Sequence, residues 1–299
     1  MLCRFDVTVP ESVEEELLGL AERLGVQSFS SPCIIDGGVS EESFSFTGET
    51  VVSFIFSSVE QDVALIKREL ETFLVETGLS AAISSREYAD NEDWMQQFKS
   101  YFVPIKVGEH IIIRPPWHEP LPEEANATVI LIDPGMAFGT GTHETTRLCL
   151  ELLTHEKFQQ GTILDVGAGS GILSFYLLKN HARQVTAIEI DGPAVENLRK
   201  NFDLNGQPGS FTVLCADLHA YEPKELFDGL VANITSPVLL DNFQRFFHWL
   251  KPGGWAVFSG INSTNAPAIQ QALADHGFAK IKKTREGEWF AFRVTKPRS

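Results

Sequence analysis

The chain is poor in the features that mark several large functional classes. No apolar run approaches the ~20 residues needed to cross a bilayer as a helix. Met1–Pro10 (MLCRFDVTVP) lacks the apolar stretch of a signal peptide, so a cytoplasmic location without membrane attachment is expected. The four cysteines, Cys3, Cys33, Cys149 and Cys215, form no CxxC pair and suit reduced, mostly buried thiols better than a disulfide frame or a zinc site. HETTR at 143–147 begins like a zinc-protease helix, but Arg147 stands where HExxH needs its second histidine, so no metal is expected. No lysine lies between Lys106 and Lys157, which removes a GxxxxGK[ST] nucleoside triphosphate loop from this glycine-rich stretch. Basic side chains are also scarce: 24 Lys and Arg face 40 Asp and Glu, a net charge of −16. The deficit is regional, with 19 acidic and 6 basic residues in positions 1–99, a balance of −13. Such a surface repels phosphate backbones and attracts basic proteins. A merely solvated face would have the same composition.

What is present orders itself into two domains. At 299 residues the chain can bury two cores of unequal size. RFDVTV alternates like a strand, and Ser12 with Glu15 forms a capping box ahead of an apolar helical stripe from Val13 to Leu24. SFSSPCII and ETVVSFIFSS read as strands, Val63 to Leu74 as a helix and LSAAISSR as a strand. The order β-α-β-β-α-β predicts a small ferredoxin-like α+β domain over 1–86. Residues 87–100, with Trp94 and Phe98 as aromatic anchors, suit a linker helix. In the remaining domain, 101–299, strand and helix alternate regularly from residue 161, predicting a Rossmann-like α/β fold with a mostly parallel sheet. A turn at Glu286-Gly287 closes it with an antiparallel hairpin.

Two glycine-rich stretches lie close together in that domain, DPGMAFGTGTHETT at 133–146 and LDVGAGSGIL at 164–173. The second follows a strand and opens a helix, where backbone amides can meet a nucleotide. GxGxG alone is equally a turn that closes a strand. Glu189 ends the next strand 22 residues after Gly167, where a carboxylate can accept ribose hydroxyls, and Asp217 and Asn233 follow at the ends of the third and fourth strands. Each could be a turn residue by itself; in register they mark a ligand edge. GAGSG lacks the third glycine spacing of a dinucleotide loop, which leaves S-adenosyl-L-methionine as the better ligand.

LDVGAGSGIL, IEIDGPAVENLRKN and the strand–helix order resemble class I methyltransferases, which have a seven-stranded sheet. AFGTGTHETT at 137–146, VANI at 231–234, the WMQQF linker and the late EGEW together resemble the bacterial methyltransferases of large-subunit ribosomal protein eleven. The motifs fall in the linker and second domain; residues 1–86 match only in predicted fold. The resemblance implies an S-adenosylmethionine-dependent enzyme that methylates lysines and the N-terminal α-amine of a basic ribosomal protein. It places Thr146 and Gly167 against the cofactor, Glu189 on the ribose, and Asn233 at both cofactor and target amine, with Asn233 as the catalytic residue. Phe138 lines the pocket with Asn233, and Thr145, Gly169, Asp191 and Asp217 complete the expected cofactor set. The family commonly has Asp where Glu189 stands, so Asp191 shares the claim to the ribose. Thr145 and Thr146 are equally suited to capping the helix that follows them.

A nucleic-acid or small-molecule amine methyltransferase is the alternative enzyme, disfavoured by the acidity and by Asn233-Ile234-Thr235-Ser236 where an aromatic NPPY or DPPY would stand. A non-catalytic ribosome-assembly factor is the alternative outside enzymes, disfavoured by the intact loops. The expected partner is therefore a ribosomal protein taken free before assembly, by a monomer, without direct nucleic-acid contact. The acidic 1–86 domain would be its recognition element.

Overall fold

The computed structural model describes residues 2–36, 44–57, 61–88, 99, 102–133, 141–156, 158, 160–206 and 209–298. The chain divides into two compact units, Met1–Phe102 and Val103–Ser299. In the first, alternate residues of β1 (Leu2–Pro10) and β3 (Phe44–Ser57) point inward: Cys3, Phe5, Val7 and Val9 from one, Val52, Phe54 and Phe56 from the other. They pack on Leu17, Leu20 and Ala21 of α1 (Glu14–Arg23) and on Ile66, Leu70 and Leu74 of α2 (Val63–Glu76). With β2 (Gln27–Asp36) and β4 (Ile83–Tyr88) they make a four-stranded antiparallel sheet ordered β2-β3-β1-β4, the strand order of a ferredoxin-like sandwich. Ser12 lies inside a 3-10 turn, Glu11–Val13, and α1 is entered through that turn, a common way to tighten a helix start. The expected boundary at 86/87 is corrected: Glu87 and Tyr88 belong to β4 and not to a linker helix, and of 89–100 only Lys99 is among the described residues.

The second unit holds a three-stranded sheet, β5 (Ile105–Val107), β6 (Ile111–Arg114) and β7 (Thr128–Leu131), and a seven-stranded one. The larger sheet comprises β8 (Thr162–Val166), β9 (Gln184–Glu189), β10 (Ser210–Cys215), β11 (Phe227–Asn233), β12 (Leu250–Asn262), β13 (Ala279–Glu286) and β14 (Trp289–Thr295), in the order β10-β9-β8-β11-β12-β14-β13. The first five in that order run parallel, and β14 is antiparallel to β12 and β13. One face packs Leu148 and Leu152 of α3 (Glu144–Thr154) and Phe175 of α4 (Ile172–Lys179) on Ile163, Val185, Val231 and Val257. The other packs Phe243 and Phe246 of α6 (Ser236–Trp249) and Ile269 of α7 (Ala266–Asp275) on Leu164, Leu230 and Phe258. Helix α5 (Gly192–Leu204) sets Leu198 on Ala168 and Ala187, beside the second glycine loop. Burial on both faces explains why these strands read as continuous apolar runs. It also leaves the carboxyl edge of the sheet as the place where polar side chains can gather.

Candidate functional site at the carboxyl edge of the sheet

The loops after β8 to β11 enclose a cavity of about 460 Å³, in the size range of small-ligand pockets. Gly167 and Gly169 border it after β8, Glu189 and Ile190 after β9, Asp217 to His219 after β10, and Asn233 to Thr235 after β11. Thr146 of α3, Ile172 and Leu173 of α4 and Val238 of α6 also border it.

Missing side chains shape this wall as much as present ones. Gly167 has φ +66°, and a Cβ there would lie 2.3 Å from Ile234 Cγ2. Gly260, on β12, has φ +81°, and its Cβ would lie 2.2 Å from the Ile234 carbonyl oxygen. Two glycines therefore let the backbone close on Ile234 from both sides, and the neighbouring Asn233 is held at the cavity. Its Nδ2 donates to Thr146 Oγ1 at 3.4 Å. Its Oδ1 is buried and has no hydrogen-bond partner among the described residues. A buried carbonyl left in this way costs about 1–3 kcal/mol, so a donor from outside the chain is the natural complement.

Glu189, one methylene longer than Asp, folds its carboxylate back on the loop. One carboxylate oxygen accepts the Gly169 N–H at 2.9 Å, and the other accepts those of Ile190 and Asp191 at 2.8 and 3.1 Å. A carboxylate has about four acceptor positions, so capacity remains for a hydroxyl. Asp191 does not border the cavity: it caps α5, accepting the Ala194 N–H at 3.1 Å. Asp217 does border it, while also capping a 3-10 turn through His219 N–H at 2.7 Å.

The two threonines of the first loop separate. Thr146 faces the cavity, whereas Thr145 lies outside its wall, buried against His143. His143 Nδ1 faces both the amide and the hydroxyl of Thr145, at 3.2 and 2.8 Å, and caps α3. Burial, followed by the Arg147 charge, pushes its pKa down to about 4, which keeps the ring neutral and able to accept. Phe138 lies outside the described residues. Gly141, where the description resumes, has φ +93°, and a Cβ there would meet Ile113 and Ile172 side chains.

Three groups at this edge have contacts that the sequence did not point to. Arg147 donates to Glu286 Oε1 through Nε and Nη2, at 3.0 and 2.7 Å, and to the Thr142 carbonyl. With Trp289 edge-on to His143 at 4.8 Å, it joins the late hairpin to the first glycine loop. Asp165, directly beneath the second loop, is fully buried and accepts the Ser174 hydroxyl at 2.6 Å. Burial raises its pKa to about 7 against that hydrogen bond, with the Glu189 charge adding to the rise. Asn201 of α5 bonds backbone near both glycine loops. Four-residue spacing of asparagines at 197, 201 and 205 was the available signal for it.

The family model for ribosomal protein L11 methyltransferase (PrmA) matches residues 5–297 of this chain. It thus runs through the first unit, where the motifs carried no resemblance. A ribosomal protein L11 methyltransferase of Desulforapulum autotrophicum is 39% identical over 215 residues, 72% of this chain and 70% of the relative. Another from Ruminiclostridium cellulolyticum is 33% identical over 258 residues, 84% of this chain and 81% of the relative. The crystal structure of ribosomal protein L11 methylase from Lactobacillus delbrueckii subsp. bulgaricus aligns with a TM-score of 0.61 at 32% identity, covering 65% of this chain and 98% of that one.

Proposed function

The chain belongs to the ribosomal protein L11 methyltransferase family, and from that premise we propose that it methylates amine nitrogens of ribosomal protein L11, lysine side chains and the N-terminal α-amine. It is an S-adenosylmethionine-dependent enzyme, and the family favours this substrate over a nucleic acid or a small amine. The observation that carries the reading of the site is Asn233, whose Oδ1 is buried at the cavity without a donor among the described residues.

The cavity suits a nucleoside joined to an amino acid. Gly167 and Gly169, both at positive φ, present bare backbone to it, Glu189 keeps acceptor capacity for a ribose hydroxyl, and Asp217 borders the same cavity. Thr146 and Asn233 mark the end where the methyl group is handed over, and Phe138 would wall the same end. Thr145 and Asp191 support the site as capping residues. When bound, S-adenosylmethionine supplies a methyl group on a sulfonium, an electrophile with a neutral leaving group. The protein must then align and desolvate a neutral amine.

Deprotonation dominates that task for lysine: at pH 7 it costs about 4.6 kcal/mol for a side chain of pKa ~10.4, and about 1 kcal/mol for an α-amine near 7.8. A carboxylate at the reacting nitrogen would stabilise the ammonium and raise this cost. Asn233 avoids it, since a neutral amide oxygen accepts an amine N–H without adding charge. The attraction of a basic substrate belongs elsewhere, to the −13 of residues 1–99. Exposed Glu16, Glu71, Glu76 and Glu87 supply part of it. This unit grips L11 as a free protein, the enzyme acts as a cytoplasmic monomer, and RNA is not part of the encounter.

The test is transfer of labelled methyl groups from S-adenosylmethionine to purified L11, located by peptide mass mapping. Label on lysines and the N-terminus supports the proposal; label confined to RNA or absent from L11 contradicts it.

A further inference from the structure

Asparagines recur every fourth residue at 197 and 201 in α5 and at 205, its C-cap, and four helical residues advance about 6 Å, close to the ~6.6 Å of two strand residues. Side-chain amides at this spacing can therefore pair with alternate residues of an extended chain. They do so along the edge of β7 that β6 leaves open, and along the extended residues after it. Asn205 accepts the Leu131 N–H at 2.9 Å and donates to the Leu131 carbonyl at 2.7 Å. One turn earlier Asn201 accepts the Asp133 N–H at 2.8 Å, and Asn197 donates to the Asp133 carbonyl at 3.1 Å.

Asn201, unlike Asn205, also reaches the second glycine loop. Its Nδ2 donates to the Ser170 carbonyl at 3.0 Å, inside the second glycine loop, and the side chain is wholly buried. Asp133 is the residue at which the chain enters the first glycine stretch. Ser170 follows Gly169, whose amide Glu189 holds. We propose that Asn201 is a positioning residue that ties Asp133, where the chain enters the first glycine stretch, to Ser170 of the second glycine loop, and so holds that loop in place at the wall of the cofactor pocket. The inference rests on the reading that this cavity holds S-adenosylmethionine.

A purely structural role would make Asn201 and Asn205 equivalent, because each fastens the same edge to the same helix. The test compares Asn201→Ala, Asn201→Asp and Asn205→Ala in the full chain by thermal melting, by hydrogen exchange of the 131–133 segment, and by calorimetry with S-adenosylmethionine. Both alanine variants should lose exchange protection there and melt lower. Asn201→Ala and Asn201→Asp should raise the cofactor Kd about tenfold, whereas Asn205→Ala should stay within about twofold of the wild type. Asn201→Asp keeps the acceptor for the Asp133 N–H but turns a carboxylate oxygen on the Ser170 carbonyl, and likewise on the Asp133 carbonyl and Asn197 Oδ1 that Nδ2 meets at 3.3 and 3.2 Å. Should neither Asn201 variant fold, Asn197→Ala decides: it removes the half-buried amide that accepts from Asn201 at 3.2 Å and should raise Kd by a smaller factor than tenfold, above the twofold band of Asn205→Ala. Unchanged cofactor affinity in the Asn201 variants, or in Asn197→Ala where they do not fold, overturns the inference, as does an equal loss in Asn205→Ala. Failure of the wild type to bind S-adenosylmethionine is a separate result, which removes the reading of the cavity and the inference with it.

Discussion

The Glu189 carboxylate holds the Gly169 amide at 2.9 Å, so the acidic residue that ends β9 also fixes the shape of the glycine loop after β8. Two features that read as separate signals along the chain are one structure. Glu189→Ala should weaken S-adenosylmethionine binding by about 1–3 kcal/mol, through lost hydroxyl acceptors and a loosened loop. Calorimetry reads this directly, and wild-type affinity would pass ribose recognition to another carboxylate.

Gly167 and Ile234 test whether the site depends on close backbone approach. Gly167→Ala should destabilise the protein, since φ is +66° and the new Cβ meets Ile234 Cγ2 at 2.3 Å. Ile234→Ala removes that methyl, so the double variant should recover part of the loss, leaving the backbone strain of about 1–2 kcal/mol. Additive losses in a thermal double-mutant cycle would show that the contact is not the cause.

The Arg147–Glu286 pair predicts long-range support of the first glycine loop. Arg147 is largely buried and Glu286 is 41% exposed on its side chain, so Arg147→Ala should cost about 1–3 kcal/mol and Glu286→Gln less. Denaturant melts give the order, and a larger loss in Glu286→Gln would contradict it.

Asp165 predicts an unusual pH dependence. Its folded pKa, about 7, lies above the ordinary 3.8, so the folded protein holds a proton that the unfolded chain releases. The stability this contributes is full below about pH 4 and is lost as pH rises through 7. Asp165→Asn removes that slope, so its melting temperature relative to the wild type should rise between pH 5 and 8 in steps that melting curves resolve. Parallel pH profiles would show that Asp165 is charged throughout.

Much of this was legible along the chain, for physical reasons. Strand ends deliver polar residues to one edge of a parallel sheet, so Gly167, Glu189, Asp217 and Asn233 could be aligned from spacing alone, and all four border the cavity. Thr145 and Thr146 could not be told apart, because the rotation of α3 decides which one faces inward. Glu189 and Asp191 differ by a helix start: Asp191 turns back to cap α5. Arg147 and Glu286 lie 139 positions apart, and only the folded hairpin brings them together. Ser12 matched a capping pattern that the 3-10 turn at Glu11–Val13 displaced.

The central claim is that Asn233 aligns a neutral amine of L11 for methyl transfer. Single-turnover transfer to purified L11, at saturating S-adenosylmethionine and across pH, tests it in the wild type, Asn233→Ala and Asn233→Asp. The account predicts a rate at least about tenfold lower in Asn233→Ala with a smaller change in cofactor affinity, because the alignment acts mainly in the transition state. It predicts an acid limb displaced to higher pH in Asn233→Asp, because a carboxylate there favours the ammonium. Wild-type transfer by Asn233→Ala, or an unmoved acid limb in Asn233→Asp, would contradict it.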